Sequence, residues 1–223
     1  MALHAEEEES LEAIKKWWDE NGTMVVVVVV AAALLWGGWT FWQSSRQASI
    51  AAASNLYEEI LTLASTEPGV ALSDADRSRI ISVAGDLQTN HSGSVYALYG
   101  ALFAAQQAAT ASDLDGAEQQ LRWLLSNAQT GLFGNADEGL ILTAQLRLGR
   151  ILLAKGEAEQ ALALVEGLDP GTFEAGFAEL RGDIYLAQGR LVDARDAYTT
   201  ALQTGTGAST FLQMKLDELG NES

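Results

Sequence analysis

The chain has 223 residues, 48% of them hydrophobic, and its 13 Lys and Arg against 30 Asp and Glu give a formal net charge of -17. That length allows one domain with a sizeable core, and the composition excludes both a disordered chain and a polytopic membrane protein. The absence of cysteine excludes disulfide scaffolds, zinc–thiolate sites and cysteine nucleophiles, and the acidity disfavours nucleic acid, whose phosphates it repels.

Residues 1–22 combine an acidic tail with a predicted short amphipathic helix. Ser10 can cap this helix, its apolar residues recur at helical spacing, and Asn21-Gly22 is predicted to close it. Trp17 and Trp18 lie near its end and are candidate partner-binding residues. Two interpretations remain open: a helix that lies on the inner leaflet of a bilayer, or a docking helix for a cytoplasmic or membrane partner.

A single transmembrane helix is predicted at residues 23–43. No charged residue occurs in the 25 positions between Glu20 and Arg46. The 19 residues 24–42 form its apolar core, and as a helix they would rise about 30 Å, the thickness of the bilayer interior. This segment is longer than the apolar region of a signal peptide and ends in Trp and Phe, so we expect an uncleaved anchor with an interfacial aromatic belt.

The topology follows from the few cations beside the span. Lys15 and Lys16 precede it and Arg46 alone follows closely, so the positive-inside rule places the N-terminus in the cytoplasm. Residues 44–223 are then expected on the far side of the membrane.

Residues 44–223 are predicted to form antiparallel helix pairs of the tetratricopeptide type. Two segments align at an offset of 33 residues, close to the 34-residue tetratricopeptide period. In that repeat, small residues let two helices approach closely and large ones fill the gaps. The alternative is an ordinary helical bundle with coincidental Gly and Ala. The first copy is Leu148-Gly149-x-x-Leu152, Gly156, Ala161 and Val165, and the second is Arg181-Gly182-x-x-Tyr185, Gly189, Ala194 and Tyr198.

Less regular elements complete the predicted all-α fold, an N-terminal transmembrane helix followed by an α-solenoid. Helices at 48–64 and 77–88 pair around a turn at 66–69, and a loop at 129–138 interrupts the repeats. A terminal helix at 209–219 covers the last repeat, as the end of a solenoid requires. A third, weaker copy has Ala105, Ala108, Ala117, Leu121 and Leu124 around a turn at 112–116.

The candidate binding surface is the concave face lined by the first helix of each pair. In the predicted register Arg150, Glu179 and Asp183 point into it, with Leu146 and Leu186 as apolar neighbours. Such a groove suits a helix or an extended peptide. The alternative is that these are ordinary solvated positions.

No residue pattern supports catalysis, a cofactor, a metal or a small-molecule substrate. The two histidines, His4 and His91, lack metal-ligand or triad-like spacing. Adjacent carboxylates such as Glu58-Glu59 point about 100° apart on a helix and do not share a site. We therefore expect a protein that is not an enzyme.

The sequence resembles the YfgM family, the ancillary subunits of the SecYEG translocon, over nearly its whole length. Four segments carry the resemblance, and their order and combination are more specific than any one of them. They are Glu12-Ala13-Ile14-Lys15-Lys16-Trp17-Trp18-x-x-Asn21-Gly22, Gly38-Trp39-x-Phe41-Trp42, Tyr96-Ala97-x-x-Gly100-Ala101-Leu102-x-Ala104 and Gln213-Met214-Lys215-Leu216-Asp217-x-Leu219.

The resemblance implies a bacterial inner-membrane protein whose periplasmic tetratricopeptide domain lies beside SecYEG and associates with a periplasmic chaperone such as PpiD. The expected function is an adaptor between the translocon and chaperones for exported proteins. The alternative is a scaffold of another envelope assembly, in cell division or outer-membrane biogenesis, that uses the same groove. The valine run and the loop at 129–138 depart from the family pattern, so partner contacts made there are not carried over.

Overall fold

The computed structural model describes residues 2–65, 71–128, 137–205 and 210–221. These residues form helices and short connections without strands, as the sequence predicts, whereas the predicted turn at 66–69 and residues 129–136 of the predicted loop lie outside them. A short 3-10 turn at Gly171–Phe173 precedes the seventh helix. The helices are α1 (Ala2–Ala64), α2 (Asp74–Asn90), α3 (Val95–Thr110), α4 (Leu114–Ala128), α5 (Glu138–Ala154), α6 (Ala158–Val165), α7 (Glu174–Ala187), α8 (Leu191–Thr204) and α9 (Thr210–Asn221).

The chain divides into two compact units, Met1–Ala51 and Ala52–Ser223. The first contains most of α1, which continues to Ala64 in the second; the stretch Ile14–Ala64 of α1 is, among the described residues, the one helix long and apolar enough to cross a membrane. The apolar window of that stretch is not buried against other parts of the protein. Its side chains are therefore available to lipid, and α1 is the candidate transmembrane helix; the predicted span limits of 23–43 stay a prediction.

The predicted helix end at Asn21-Gly22 is wrong, because α1 continues through both residues. A glycine ends a helix by adopting a left-handed φ, and Gly22 does not have one. Instead the Asn21 side-chain amide donates to the carbonyl of Trp17 at 3.1 Å. The Trp18 indole covers Gly22, with ring atoms 3.2 Å from where a Cβ would stand. The residue pair lies within the helix and does not cap it.

The predicted repeat at an offset of 33 residues is confirmed by the pairs α5–α6 and α7–α8. The turns between the paired helices contain Gly156 and Gly189, with φ of 81° and 72°. Residues other than glycine rarely adopt such positive φ values. The two copies also bury equivalent small and large residues: Ala161 and Ala194 are both fully buried, and Val165 corresponds to the fully buried Tyr198.

The weaker copy is confirmed as the pair α3–α4, with a shorter turn than predicted. Leu114 already begins α4, since the Asp113 carboxylate accepts a hydrogen bond from the Gly116 backbone N–H at 2.9 Å. Ser112 makes the reversal with a φ of 62°. The 129–138 loop is also shorter at its end, because Asp137 caps α5 and Glu138 is the first residue of that helix.

Three apolar clusters follow one another along the second unit. The first joins the end of α1 to α2 and α3, the second joins α3 through α7, and the third joins α7, α8 and α9. Leu212 and Leu219 of α9 are buried in the third cluster with Tyr198. The predicted terminal helix is thus confirmed as α9, and it covers the apolar side of the last repeat.

An ionic cluster ties α4 to the turn after α5. Lys155 Nζ lies 2.6 Å from both an Asp115 and a Glu118 carboxylate oxygen, and Arg122 donates to the other oxygen of Glu118. Hydrogen bonds from Lys155 and then from Arg122 lower the pKa of Glu118. The stabilisation is therefore present above the ordinary carboxyl pKa of about 4.5 and is lost as the pH falls through the lower folded value.

Acidification from about pH 6 to about pH 3 lowers the free energy of unfolding, and we expect this decrease to be smaller in Glu118→Gln than in the wild type. The reason is that the substituted side chain no longer takes up a proton. Urea denaturation followed by circular dichroism at several pH values measures this loss. Glu159→Gln is the matched control, since Glu159 is an exposed acid of α6 with no ion pair among the described residues. Equal acid sensitivity in the wild type and Glu118→Gln would contradict the prediction.

Candidate protein-binding face

Five predicted groove residues lie on α5 and α7, which stand side by side in the second unit. Arg150 Nη2 of α5 approaches Glu179 Oε2 of α7 at 3.8 Å. Leu146 of α5 lies over Gly176 of α7, with its Cδ2 3.1 Å from where a Cβ would stand. We call the surface formed by Leu146, Arg150, Glu179, Asp183 and Leu186 the α5–α7 face. Its role in binding stays a prediction.

The two acids of this face are engaged by a residue that sequence reasoning did not assign to the groove. Lys215 Nζ of α9 donates to Glu179 Oε1 at 3.1 Å and to Asp183 Oδ1 at 2.6 Å. Asp183 also accepts a hydrogen bond from the Tyr198 hydroxyl at 2.7 Å. Burial and then this hydrogen bond raise the pKa of Tyr198, so the phenol keeps its proton. The acids therefore stabilise the packing of α7 against α8 and α9.

Apolar side chains at the end of the α5–α7 face are exposed to solvent. Leu186 is 39% exposed, and Phe211 and Met214 of α9 are exposed by more than half. Trp17 and Trp18, the remaining candidate residues, lie on α1 in the first unit and are each about half exposed. Both tryptophans are accessible to lipid or protein, which leaves the two interpretations of this segment open.

Two cavities of the second unit lie along α3, and α5 lines one of them. The larger, of about 380 Å³, lies between α3, α4 and α5, and we call it the arginine cavity. The smaller, of about 320 Å³, lies between α3, the end of α1 and the start of α2, and Arg77 lines it. Gln106 and Thr110 line both cavities. The arginine cavity is lined by Ala105, Gln106, Ala109, Thr110, Leu121, Arg147, Arg150 and Ile151.

Arg147 was missed by the sequence analysis. It is half-buried and makes no ion pair or hydrogen bond with another residue of the described ranges. Burial and then the adjacent charge of Arg150 lower the pKa of Arg147. A sequence signal existed: Glu138 is the one acid in α5, so neither Arg147 nor Arg150 has a carboxylate three or four positions away, the spacing at which helical ion pairs form.

Two acids outside the α5–α7 face have structural partners. No group of three or more His, Cys, Asp or Glu among the described residues is placed to hold a metal ion. Asp113 caps α4 and Asp115 binds Lys155, so both have structural partners. What the second unit offers is an apolar floor with guanidinium donors at its edge, which suits binding a protein segment.

Comparison with known proteins extends over nearly the whole chain. Residues 15–221 match the family described as tetratricopeptide repeat-like domain. A protein of Neisseria gonorrhoeae named Ancillary SecYEG translocon subunit is 31% identical over 226 residues, which cover 98% of this chain and 100% of the relative. Proteins of the same name from Haemophilus influenzae and Escherichia coli are 28% and 26% identical, over 98% of this chain and 100% and 99% of theirs. No solved structure matches.

Proposed function

The chain belongs to the tetratricopeptide repeat-like family of ancillary SecYEG translocon subunits, and from that premise we propose that it is a membrane-anchored, protein-binding adaptor at the SecYEG translocon. The observation that carries the proposal is the extent of the similarity. It covers 98% of this chain, so the relatives share both the region of the candidate transmembrane helix and the helix pairs. A subunit of a membrane channel needs the transmembrane helix, and a binding module needs the helix pairs.

The proposed arrangement places α1 across the bacterial inner membrane with its N-terminus in the cytoplasm. Lys15 and Lys16 before the apolar segment support that orientation through the positive-inside rule. The helical domain then lies in the periplasm, where exported chains emerge from the channel. Trp17 and Trp18, at the cytoplasmic edge, are placed to contact either lipid headgroups or a translocon subunit.

The proposed partners of the helical domain are periplasmic chaperones such as PpiD. Support comes from the α5–α7 face and the arginine cavity, which offer an open surface with apolar and cationic groups. This combination suits reversible binding of a protein segment. In this role the domain would hold a chaperone near the exit of the channel and would carry out no reaction.

Replacing residues 1–45 by an unrelated single-span anchor is expected to abolish co-purification of SecYEG from mild-detergent membranes. The native chain is expected to recover both SecYEG and a periplasmic chaperone, because the α1 segment carries the contact with the channel. Quantitative mass spectrometry of the purified complexes measures both. A second variant, Trp17→Ala with Trp18→Ala, separates the contribution of the cytoplasmic edge from that of the span.

One result would count against the adaptor, and another against the assignment of the contact to the anchor. If neither the native nor the replaced chain recovers SecYEG while both recover proteins of another envelope assembly, the scaffold alternative is correct. If the replaced chain recovers SecYEG as well as the native chain does, the anchor does not carry the contact, and docking belongs to the helical domain. Equal expression and membrane insertion of both chains is the required control.

A further inference from the structure

Four aromatic rings from the end of α1 and from α3 form one cluster in the second unit. The Tyr57 ring of α1 lies 5.6 Å from the ring centroid of Tyr96 and 6.1 Å from that of Tyr99. The Phe103 ring lies edge-on to Tyr57, with 6.2 Å between the centroids. All four side chains are half-buried, so each keeps part of its surface open to solvent. We call the group Tyr57, Tyr96, Tyr99 and Phe103 the aromatic platform.

The sequence of α3 explains why three of these rings share one side of the helix. Tyr96, Tyr99 and Phe103 stand at positions i, i+3 and i+7, the spacing that aligns side chains along one helix face. Tyr96 and Phe103 pack against the apolar cluster of α1, α2 and α3, and Tyr99 packs against the next cluster. This packing anchors one side of each ring and leaves the other side available for contact.

The two helix segments that form the platform contain acids but no cation. Residues 52–64 and 95–110 include Glu58 and Glu59 and no Lys, Arg or His. Glu59 is paired with Arg79 of α2 at 2.6 Å, whereas Glu58 is exposed and makes no ion pair among the described residues. From Arg46 onward the sequence has 23 acids against 11 cations, so the field of the whole domain also attracts positive charge.

Elsewhere in the second unit, the cations of the chain lie over aromatic rings. The Arg190 guanidinium is 4.3 Å from the ring centroid of Tyr185, and the Lys215 ammonium is 4.7 Å from that of Phe211. The negative face of a ring attracts a cation, and arginine is the more frequent partner because its planar group also stacks. Among the described residues, no cation lies over a ring of the platform. The platform is therefore open to a cation from another molecule.

We propose that the aromatic platform binds an arginine side chain of a partner protein segment, with the guanidinium stacked on the Tyr57 ring. The exposed carboxylate of Glu58, the next residue of α1, adds a negative charge beside that ring. Arginine is favoured over lysine because its planar group stacks on aromatic faces and is more weakly hydrated. The inference deepens the adaptor function and rests on it in that the ligand is a protein segment.

The test uses the full chain in non-ionic detergent micelles and three labelled peptides. Their sequences are identical and uncharged except for arginine, lysine or citrulline at the central position. Citrulline has the shape of arginine without its charge, and lysine has the charge without the planar group. Fluorescence anisotropy measures the dissociation constants. We expect the arginine peptide to bind about fivefold more tightly than the citrulline peptide, as one cation–π contact predicts, and more tightly than the lysine peptide.

Tyr57→Leu is expected to remove the preference for the arginine peptide, because leucine keeps an apolar side chain but lacks the ring. Tyr57→Phe, which keeps the ring and loses only the hydroxyl, should retain the preference. The matched control is Tyr185→Leu, which removes another half-buried tyrosine outside the platform. Circular dichroism establishes whether the variants fold, and Phe103→Leu supplies a second loss of a platform ring if Tyr57→Leu does not fold.

The proposal is overturned if no peptide binds, or if the citrulline or lysine peptide binds as tightly as the arginine peptide. It is also overturned if Tyr185→Leu loses the preference as fully as the platform variant does. Failure of the adaptor function is recognised separately. Preference for arginine in a chain that recovers no SecYEG from membranes would leave the platform assigned and refute the translocon role. Recovery of SecYEG by a chain without this preference would refute the platform assignment alone.

Discussion

Gly182→Ala is expected to lower the free energy of unfolding by about 2 kcal/mol, although alanine is the better helix former by about 1 kcal/mol. An added Cβ at this position would stand 2.3 Å from Cε1 and 2.4 Å from Cδ1 of the Tyr198 ring. The ring has no free space, because Tyr198 is fully buried and its hydroxyl is bound to Asp183. The clash must therefore be relieved by separating α7 from α8.

The matched control is Gly85→Ala in the interior of α2, where a Cβ would meet nothing within 4 Å. Here the same substitution is expected to raise stability by up to about 1 kcal/mol, since only helix propensity changes. Urea denaturation of the full chain, followed by circular dichroism, measures both variants. Changes of the same sign and size in the two variants would show that close packing at Gly182 does not decide the outcome.

Lys215→Met is expected to lower the free energy of unfolding by about 2 kcal/mol and to loosen α9. Methionine keeps about the length of the side chain but removes the charge, and with it the cation–π contact of the Lys215 ammonium with the Phe211 ring, 4.7 Å from the ring centroid. Glu179 and Asp183, one turn apart on α7, then repel each other without the ammonium that lies 3.1 and 2.6 Å away in the wild type. Hydrogen exchange of the α9 amides, compared with those of α3, measures the local part of this effect.

Adding Glu179→Gln and Asp183→Asn to Lys215→Met is expected to restore part of the lost stability, because no unpaired carboxylates remain. The control for the loss of a cation is Arg79→Met, whose ion pair with Glu59 is exposed and should contribute little to stability. If the triple variant is less stable than Lys215→Met alone, repulsion between the two acids does not explain the loss.

The helix pairs were predictable from the sequence because their signals are local. Gly156 and Gly189 mark turns where the backbone needs a left-handed φ, and Ala161 and Ala194 mark the points where two helices touch. These requirements recur with each repeat and so appear as a period in the sequence. The continuation of α1 through Asn21-Gly22 was not predictable in the same way, since a glycine can sit within a helix when a neighbour such as Trp18 covers it.

The ion pairs of the α5–α7 face join residues that are far apart in sequence. Lys215 is 36 and 32 residues from Glu179 and Asp183, a separation that no helical pattern relates. Arg147 was missed for a different reason. Its distinguishing feature is that no acid lies near it, and a search for motifs finds residues that are present, not partners that are missing. The binding role of the α5–α7 face stays a prediction, and the sequence did not indicate that Lys215 holds its acids.

The succession of three apolar clusters has a consequence for how the chain folds. Each cluster is made by helices adjacent in sequence, so contacts form between residues that are close along the chain, and topologies of this kind fold fast. The apolar cluster of α1, α2 and α3 can form before α8 and α9 have been synthesised. A domain whose helices reach a compartment in order from α2 to α9 can therefore acquire structure progressively, and α9, which completes the last cluster, docks last.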